Sequence, residues 1–258
     1  MTSAPHVALW GVPKKANVPS ASGFCQKLET VLKYSKISYE LRETYPNRAP
    51  KGKVPYAEIT HGGRTVTVPD SHFIIQYLVE NSLIKDPDEL AGLTKAQRAE
   101  SRAFQALVEE LMYPAIVYDR WFIDENYAVT TQETFREVPQ LLRPIIAWYF
   151  RRRVNSGLYA AGIGRHSPED VQRLQKEAFE ALEAKYTEHK YFHPGEVLSR
   201  IDLTVYGFLA NILSADANPY FAGLVLKSTV MRSFVRETTT LLFPEYELLL
   251  AKVQGDAT

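Results

Sequence analysis

The run Ser20-Ala21-Ser22-Gly23-Phe24-Cys25 places two hydroxyls beside the only cysteine of the chain. It follows the apolar stretch His6–Val12 and opens a helical pattern over 23–37. Free N–H groups and the dipole at a helix start favour an anion, and a thiolate is such an anion. Ser22 takes the first position of this turn. It cannot form a mixed disulfide, but its hydroxyl can donate a hydrogen bond to a thiolate brought by another molecule. Ser20 lies farther from the helix start and is aimed less well. Cys25 falls one turn inside, beside Phe24 and Leu28, where a buried structural thiol is expected.

Two later segments carry binding groups. Lys53-Val54-Pro55 precedes a strand, a turn or edge position for proline, and trans is the usual form of an X–Pro bond. Asp70-Ser71 precedes an apolar helix; the plain reading is a cap, and the functional one is a seat for a carboxylate. Other clusters carry less. His189 and His193 are four apart, but Pro194-Gly195 ends any helix there, so no metal site is expected. Arg165-His166 reads as the tether of a loop before the capped helix start Ser167-Pro168. Arg151-Arg152-Arg153 reads as a solvated helix end, and Gly162-Ile-Gly164 lacks the third glycine of a dinucleotide fingerprint.

The elements that must hold these groups follow from periodicity. Strands are expected at His6–Val12, Ser38–Thr44, Pro55–Thr60 and Arg64–Val68, with Gly62-Gly63 as a hairpin turn. Phe24, Leu28, Val31, Leu32 and Ile37 form one helical stripe, and 70–84 returns to helical spacing. The first eighty residues thus read β-α-β-β-β-α. After a turn-rich segment at 85–93, strand signals cease, and helices are expected over 94–127, 131–155, 167–189, 200–215, 219–238 and 243–253. Ser199 and Asp202 form a capping-box variant with structural purpose. The division is an α/β domain over 1–84 and an all-helical domain over 94–258.

Composition narrows the function classes. Thirty basic residues balance thirty acidic ones, which removes a bulk electrostatic case for nucleic acid. One cysteine leaves no intramolecular disulfide. No secretory leader or membrane-length apolar run is legible. The expectation is a cytoplasmic protein with no membrane span.

The strand, Ser-x-Phe at a helix start, Lys53-Val54-Pro55 some thirty residues on, and Asp70-Ser71 before an apolar helix together resemble the glutathione-binding domain of cytosolic glutathione transferases. The resemblance implies a thioredoxin-like domain followed by a helical glutathione-transferase domain, and a serine-type site. Ser22 matches the serine that meets the glutathione sulfur, and Cys25 the second cysteine of the glutaredoxin motif. Gly23 replaces the usual proline, a departure that bears on the loop's shape. Pro55 matches the family's cis-proline, and Val54 its backbone contact to the cysteinyl part of glutathione. Asp70 and Ser71 match the pair at the γ-glutamyl carboxylate, and Lys53 a basic residue near the glycyl end. Gly157–Ser167, with 19–30 and 70–78, further resembles the failed-axon-connections-like, metaxin-related branch.

That resemblance implies an enzyme that favours the thiolate of glutathione, a thiol with pKa of about 8.5 when free, for addition to a small hydrophobic electrophile. Met112 and Tyr113 are the expected substrate-binding residues. Serine at the first position argues against disulfide exchange, which needs a protein thiolate. Two alternatives share the fold: glutathione-dependent cis–trans isomerisation at the same site, and a non-catalytic binding or scaffold protein. A homodimer would use the helix after Asp70-Ser71 and the next one, although no hydrophobic key residue marks that contact.

Overall fold

The structure, a computed structural model, describes residues 5–136 and 138–254. Four strands, β1 (His6–Gly11), β2 (Ser38–Glu43), β3 (Tyr56–His61) and β4 (Arg64–Pro69), make one sheet in the order β2-β1-β3-β4. β1 and β2 are parallel, so they need a crossover, and helix α1 (Gly23–Tyr34) supplies it. β3 and β4 each run antiparallel to their neighbours. Val7, Ala8 and Leu9 are all buried, as befits a strand covered on both faces. Gly62 and Gly63 both hold positive φ, which the two-residue hairpin turn requires. Helix α2 (Ser71–Glu80) then packs back on α1 and β4.

The remainder is all helical: α3 (Pro87–Leu90), α4 (Lys95–Ala106), α5 (Tyr113–Phe122), α6 (Asp124–Thr134), α7 (Arg143–Ala160), α8 (Pro168–Glu188), α9 (Arg200–Ser214), α10 (Pro219–Lys227), α11 (Thr229–Leu242) and α12 (Glu247–Gln254). The architecture is therefore a thioredoxin-like α/β half followed by a helical half. Three expected helices differ from those found. The span 94–127 is interrupted, because residues 107–112 form a π-helical turn between α4 and α5. Pro114 lacks an N–H and its ring would strike the carbonyl of Glu110 in a regular α-helix, and widening the turn relieves both. The span 131–155 is not one helix: α6 ends at Thr134, Pro139 falls in the break, and α7 starts at Arg143. The span 219–238 divides at Ser228, whose Oγ accepts a hydrogen bond from the Met231 N–H (3.1 Å) and caps α11 afresh.

Helix α9 is the axis of the molecule, buried continuously from Ile201 to Leu213. α1 crosses it at very short range. A Cβ added at Gly207 would lie 2.6 Å from the Lys27 Cα, so only glycine permits this approach. The start of α9 is held by Asp202, whose buried carboxylate accepts from the Ser199 N–H (2.8 Å), the Phe192 N–H (2.8 Å) and the Tyr186 hydroxyl (3.0 Å). One continuous apolar core joins the sheet, α1, α2 and α9. The helix that carries Ser22 is thus fixed against the most deeply buried element.

Candidate functional site

Ser22 is the N-cap of α1, with extended backbone (φ −109°, ψ 118°). Its Oγ accepts from the Cys25 N–H at 3.4 Å. An N-cap oxygen used as acceptor leaves the hydroxyl proton free to rotate toward a ligand. Ser20 is buried and serves its neighbour: its Oγ accepts from the Ser22 N–H (3.2 Å), and its own N–H donates to Gln26 Oε1 (2.8 Å). A cleft of about 150 Å³ between the ends of β1 and β2 is lined by Ser20, Cys25, Lys14 and Glu29, but not by Ser22. Cys25 is itself buried, and burial pushes its thiol up to about 11 against the opposing Ser22 hydroxyl. It is protonated at neutral pH.

The loop shape that Gly23 leaves open is decided by packing. A Cβ at Gly23 would come 2.7 Å from Phe208 Cδ1, so the ring of Phe208 occupies the space a proline would need. Two polar side chains of the helical half then grip the loop from below. Asn211 Nδ2 donates to the Ser20 carbonyl (2.7 Å), and Arg120 Nη1 to the Ala21 carbonyl (3.1 Å). Arg120 is in turn held by Asn218 (2.6 Å) and Asn211 (3.0 Å). These positioning residues carry no motif, because they come from 99 and 191 positions away in the chain.

Sheet register brings the three candidate segments to one edge. Trp10 pairs with Tyr56, and Tyr56 with Pro69. The end of β1 that leads to Ser22, the start of β3 after Val54-Pro55, and the end of β4 before Asp70 therefore lie side by side. The Val54–Pro55 bond is cis. Among the described residues no backbone hydrogen bond occupies the N–H or C=O of Val54. The Asp70 N–H donates to the Pro55 carbonyl (3.1 Å), which ties the two loops together. Asp70 caps α2 by accepting from the His72 N–H (2.8 Å), and does so at φ 81°, a conformation rare outside glycine and common at ligand sites. Ser71 is buried, with no hydrogen bond from its hydroxyl among the described residues. Lys53 is exposed on the same side.

The expected substrate pair divides. Met112 lies in the core with 1% of its surface exposed, so it does not face a cleft; it falls on the inner side of the π turn. Tyr113 is half-buried and stands edge-on to Phe24 (4.8 Å) and Phe208 (6.2 Å), close behind Ser22. Burial raises its phenol above the ordinary range.

Two charged features escape motif reading. Lys27, on α1, is buried and donates to Glu109 Oε1 on the π turn (2.6 Å), which Gln105 also reaches (3.0 Å). Burial lowers the Lys27 ammonium, and Glu109 opposes that. A second cleft, of about 160 Å³, opens beside His72 and includes Arg98, Arg102 and Arg200. Burial lowers the His72 imidazole, and the cations of Arg102 and Lys27 add to it while Glu109 opposes; Asp88 lines the same cleft, and Arg98 and Arg200 are paired with Asp86.

Residues 23–126 match the glutathione S-transferase N-terminal domain. The chain is 30% identical over 216 residues to the isoprene-epoxide–glutathione S-transferase of Rhodococcus sp. (strain AD45), covering 80% of this chain and 84% of that one. The chain belongs to the glutathione S-transferase family. It is 30% identical over 192 residues to metaxin-1 of Macaca fascicularis, covering 71% of this chain and 56% of the relative. It is 28% identical over 257 residues to Failed axon connections of Drosophila melanogaster, covering 93% and 59%. These relatives place this transferase-fold chain in the metaxin and failed-axon-connections-like branch, and it spans little more than half the length of either. A rice glutathione transferase solved in complex with glutathione shares the fold, at TM-score 0.60 and 16% identity over 98% of this chain and 96% of that one.

Kinship corrects one expectation. Metaxins are associated with the mitochondrial outer membrane, so membership of this branch overturns the cytoplasmic location read from composition. Among the described residues no helix is long and apolar enough to cross a membrane. Likewise glutathione, for a member of this family, is a substrate more than a cofactor.

Proposed function

We propose that this protein is a serine-type glutathione transferase, with the Ser22 hydroxyl donating a hydrogen bond to the sulfur of bound glutathione. The observation that carries this reading is the place of Ser22: it is the N-cap at the head of α1, with its oxygen fixed by the Cys25 N–H. The peptide would pair with the backbone of Val54 beside Pro55. Its γ-glutamyl carboxylate would meet the start of α2 through the Ser71 hydroxyl and N–H groups, with Asp70 taking the α-amino group and Lys53 reaching the glycyl end. A hydrogen bond and a helix N-terminus at the sulfur would lower its pKa by about one to two, each worth about 1.4 kcal/mol. The thiolate then attacks a small electrophile, and the new C–S bond forms as the electrophile's bond opens or its leaving group departs. Tyr113 is the residue nearest to that role in the helical half. The Rhodococcus relative carries an epoxide in its name, which supports this class of electrophile.

A second reading, a non-catalytic binding protein, is favoured by two observations. The metaxin relatives are one. The other is that Phe24, Tyr113 and Phe208 pack on each other where an electrophile would enter. Ser22→Ala separates the two. Under the catalytic reading it raises the pKa of bound glutathione, followed by thiolate absorbance against pH, and slows an alkylating substrate by about 10- to 1000-fold. Glutathione that binds with the same thiol pKa in wild type and variant refutes the assignment of Ser22, and no binding at millimolar glutathione leaves the scaffold reading standing.

A further inference from the structure

Helix α7 has two dissimilar faces. Ala147 and Leu158 are buried, and Phe150 and Val154 half-buried, against the rest of the helical half. The opposite stripe runs Ile145, Trp148, Arg152 and Tyr159, at helical spacing, and Leu141 precedes it in the turn before α7. Leu141 is 91% exposed, Ile145 67% and Trp148 59%. An apolar stripe with aromatic residues on a free helix face is unusual for surface exposed to water.

The charge around this stripe is one-sided. From Val138 to Pro168 the chain has five arginines and no aspartate or glutamate, although the whole chain is neutral. Arg151 is used internally, donating to Asp124 (2.7 Å) and to the Trp121 and Phe122 carbonyls. Arg152 and Arg153 are exposed. The Arg152 guanidinium lies over the Trp148 ring (5.9 Å), and that of Arg165 over the Tyr159 ring (4.9 Å). Aliphatic and indole groups beside cations that extend past them are the composition of a helix lying in a lipid headgroup layer.

We infer that the outer face of α7 docks the protein on an anionic membrane surface, with Leu141, Ile145 and Trp148 entering the acyl boundary and Arg152 and Arg153 meeting lipid phosphates. A second copy of the chain fits less well. A two-fold contact through this face would set each acid-free, arginine-rich segment against its own image, with like charges facing. The inference is independent of the glutathione site, which lies on another element.

The test uses the full chain with phosphatidylserine-containing vesicles, phosphatidylcholine vesicles as control, and co-flotation as readout. Wild type should bind the anionic vesicles at least about tenfold more tightly than the neutral ones, and salt should weaken the binding. The double variant Ile145→Ser/Trp148→Ser and the charge variant Arg152→Glu/Arg153→Glu should each lose about tenfold or more. All four side chains are exposed or overlie one another at the surface, and circular dichroism checks that each variant is folded. Fluorescence of wild type should shift to the blue on binding, and Trp148→Phe should remove that shift. Wild type that stays off anionic vesicles overturns the inference. So does a folded Ile145→Ser/Trp148→Ser variant that binds like wild type. A Trp148-dependent dimer with no vesicle binding also overturns it, in favour of a second copy.

Discussion

Breaking the Lys27–Glu109 pair tests how α1 is held to the π turn. The Lys27 side chain is 1% exposed and that of Glu109 10%, with N and O 2.6 Å apart. Desolvation of two such charges is offset chiefly by each other, with the Gln105 amide on Glu109 and the Asp70 charge and Phe24 ring on Lys27, so removing one partner strands the other. Either Lys27→Met or Glu109→Gln should cost about 3–5 kcal/mol, the range for breaking a buried pair, while Lys27→Met/Glu109→Leu should come within about 1 kcal/mol of wild type. For a chain of this size each kcal/mol moves Tm by about 2–4 °C, so the single variants should melt about 6–20 °C lower. Urea unfolding of the four proteins closes the cycle. The sign of the pH dependence is also set. The folded-state pKa of Lys27 is lowered from 10.5, so the unfolded chain binds the extra proton, and this contribution to stability grows as pH rises toward 10.5. Single variants costing under about 1 kcal/mol, or a double variant as unstable as the two singles summed, would refute the reasoning, because either result means that the charges are not confined as their burial implies.

Two further outcomes concern Cys25 and Asp70. The Cys25 thiol, held at about 11 in the folded state against 9.0 in the ordinary group, contributes stability that is complete below pH 9 and lost as pH rises toward 11. By pH 10 wild type should have lost about 1.4 kcal/mol that Cys25→Ala does not lose, and equal alkaline slopes in urea unfolding would show that the thiol is not desolvated. Asp70→Asn keeps a good N-cap for α2 but removes the charge, so stability should hold while glutathione affinity falls about tenfold by calorimetry. Unchanged affinity would make Asp70 a cap and nothing more.

Much of the local structure around the candidate site was legible in the chain because it depends on local chemistry. Ser22, Asp70, Ser167 and Ser199 each announce a helix start by a short polar side chain before an apolar stripe, and helices begin there. The hairpin at Gly62-Gly63 is equally local, since only consecutive positive φ values close it. Helix boundaries beyond residue 94 were less legible. The periodic pattern runs on through Pro114 and Ser228, where a backbone defect and a new cap divide it.

What the sequence by itself determined is the set of caps, turns and amphipathic stripes, together with the choice of serine at the head of α1. Tertiary structure alone decided how those pieces serve one another. Gly23 reads as a missing proline until the Phe208 ring is found in its space, and Gly207 as a weak point in a helix until Lys27 is found against it. Met112 and Tyr113 are neighbours in one apolar stretch, yet Met112 lies in the core while Tyr113 stands against Phe24. Lys27 and Glu109 are 82 residues apart and Arg120 and Ala21 are 99 apart, and no periodicity relates them. The physical reason is that a cap or a turn is satisfied by groups within a few residues, whereas burial, ion pairing and loop bracing depend on which distant surfaces the fold brings into contact.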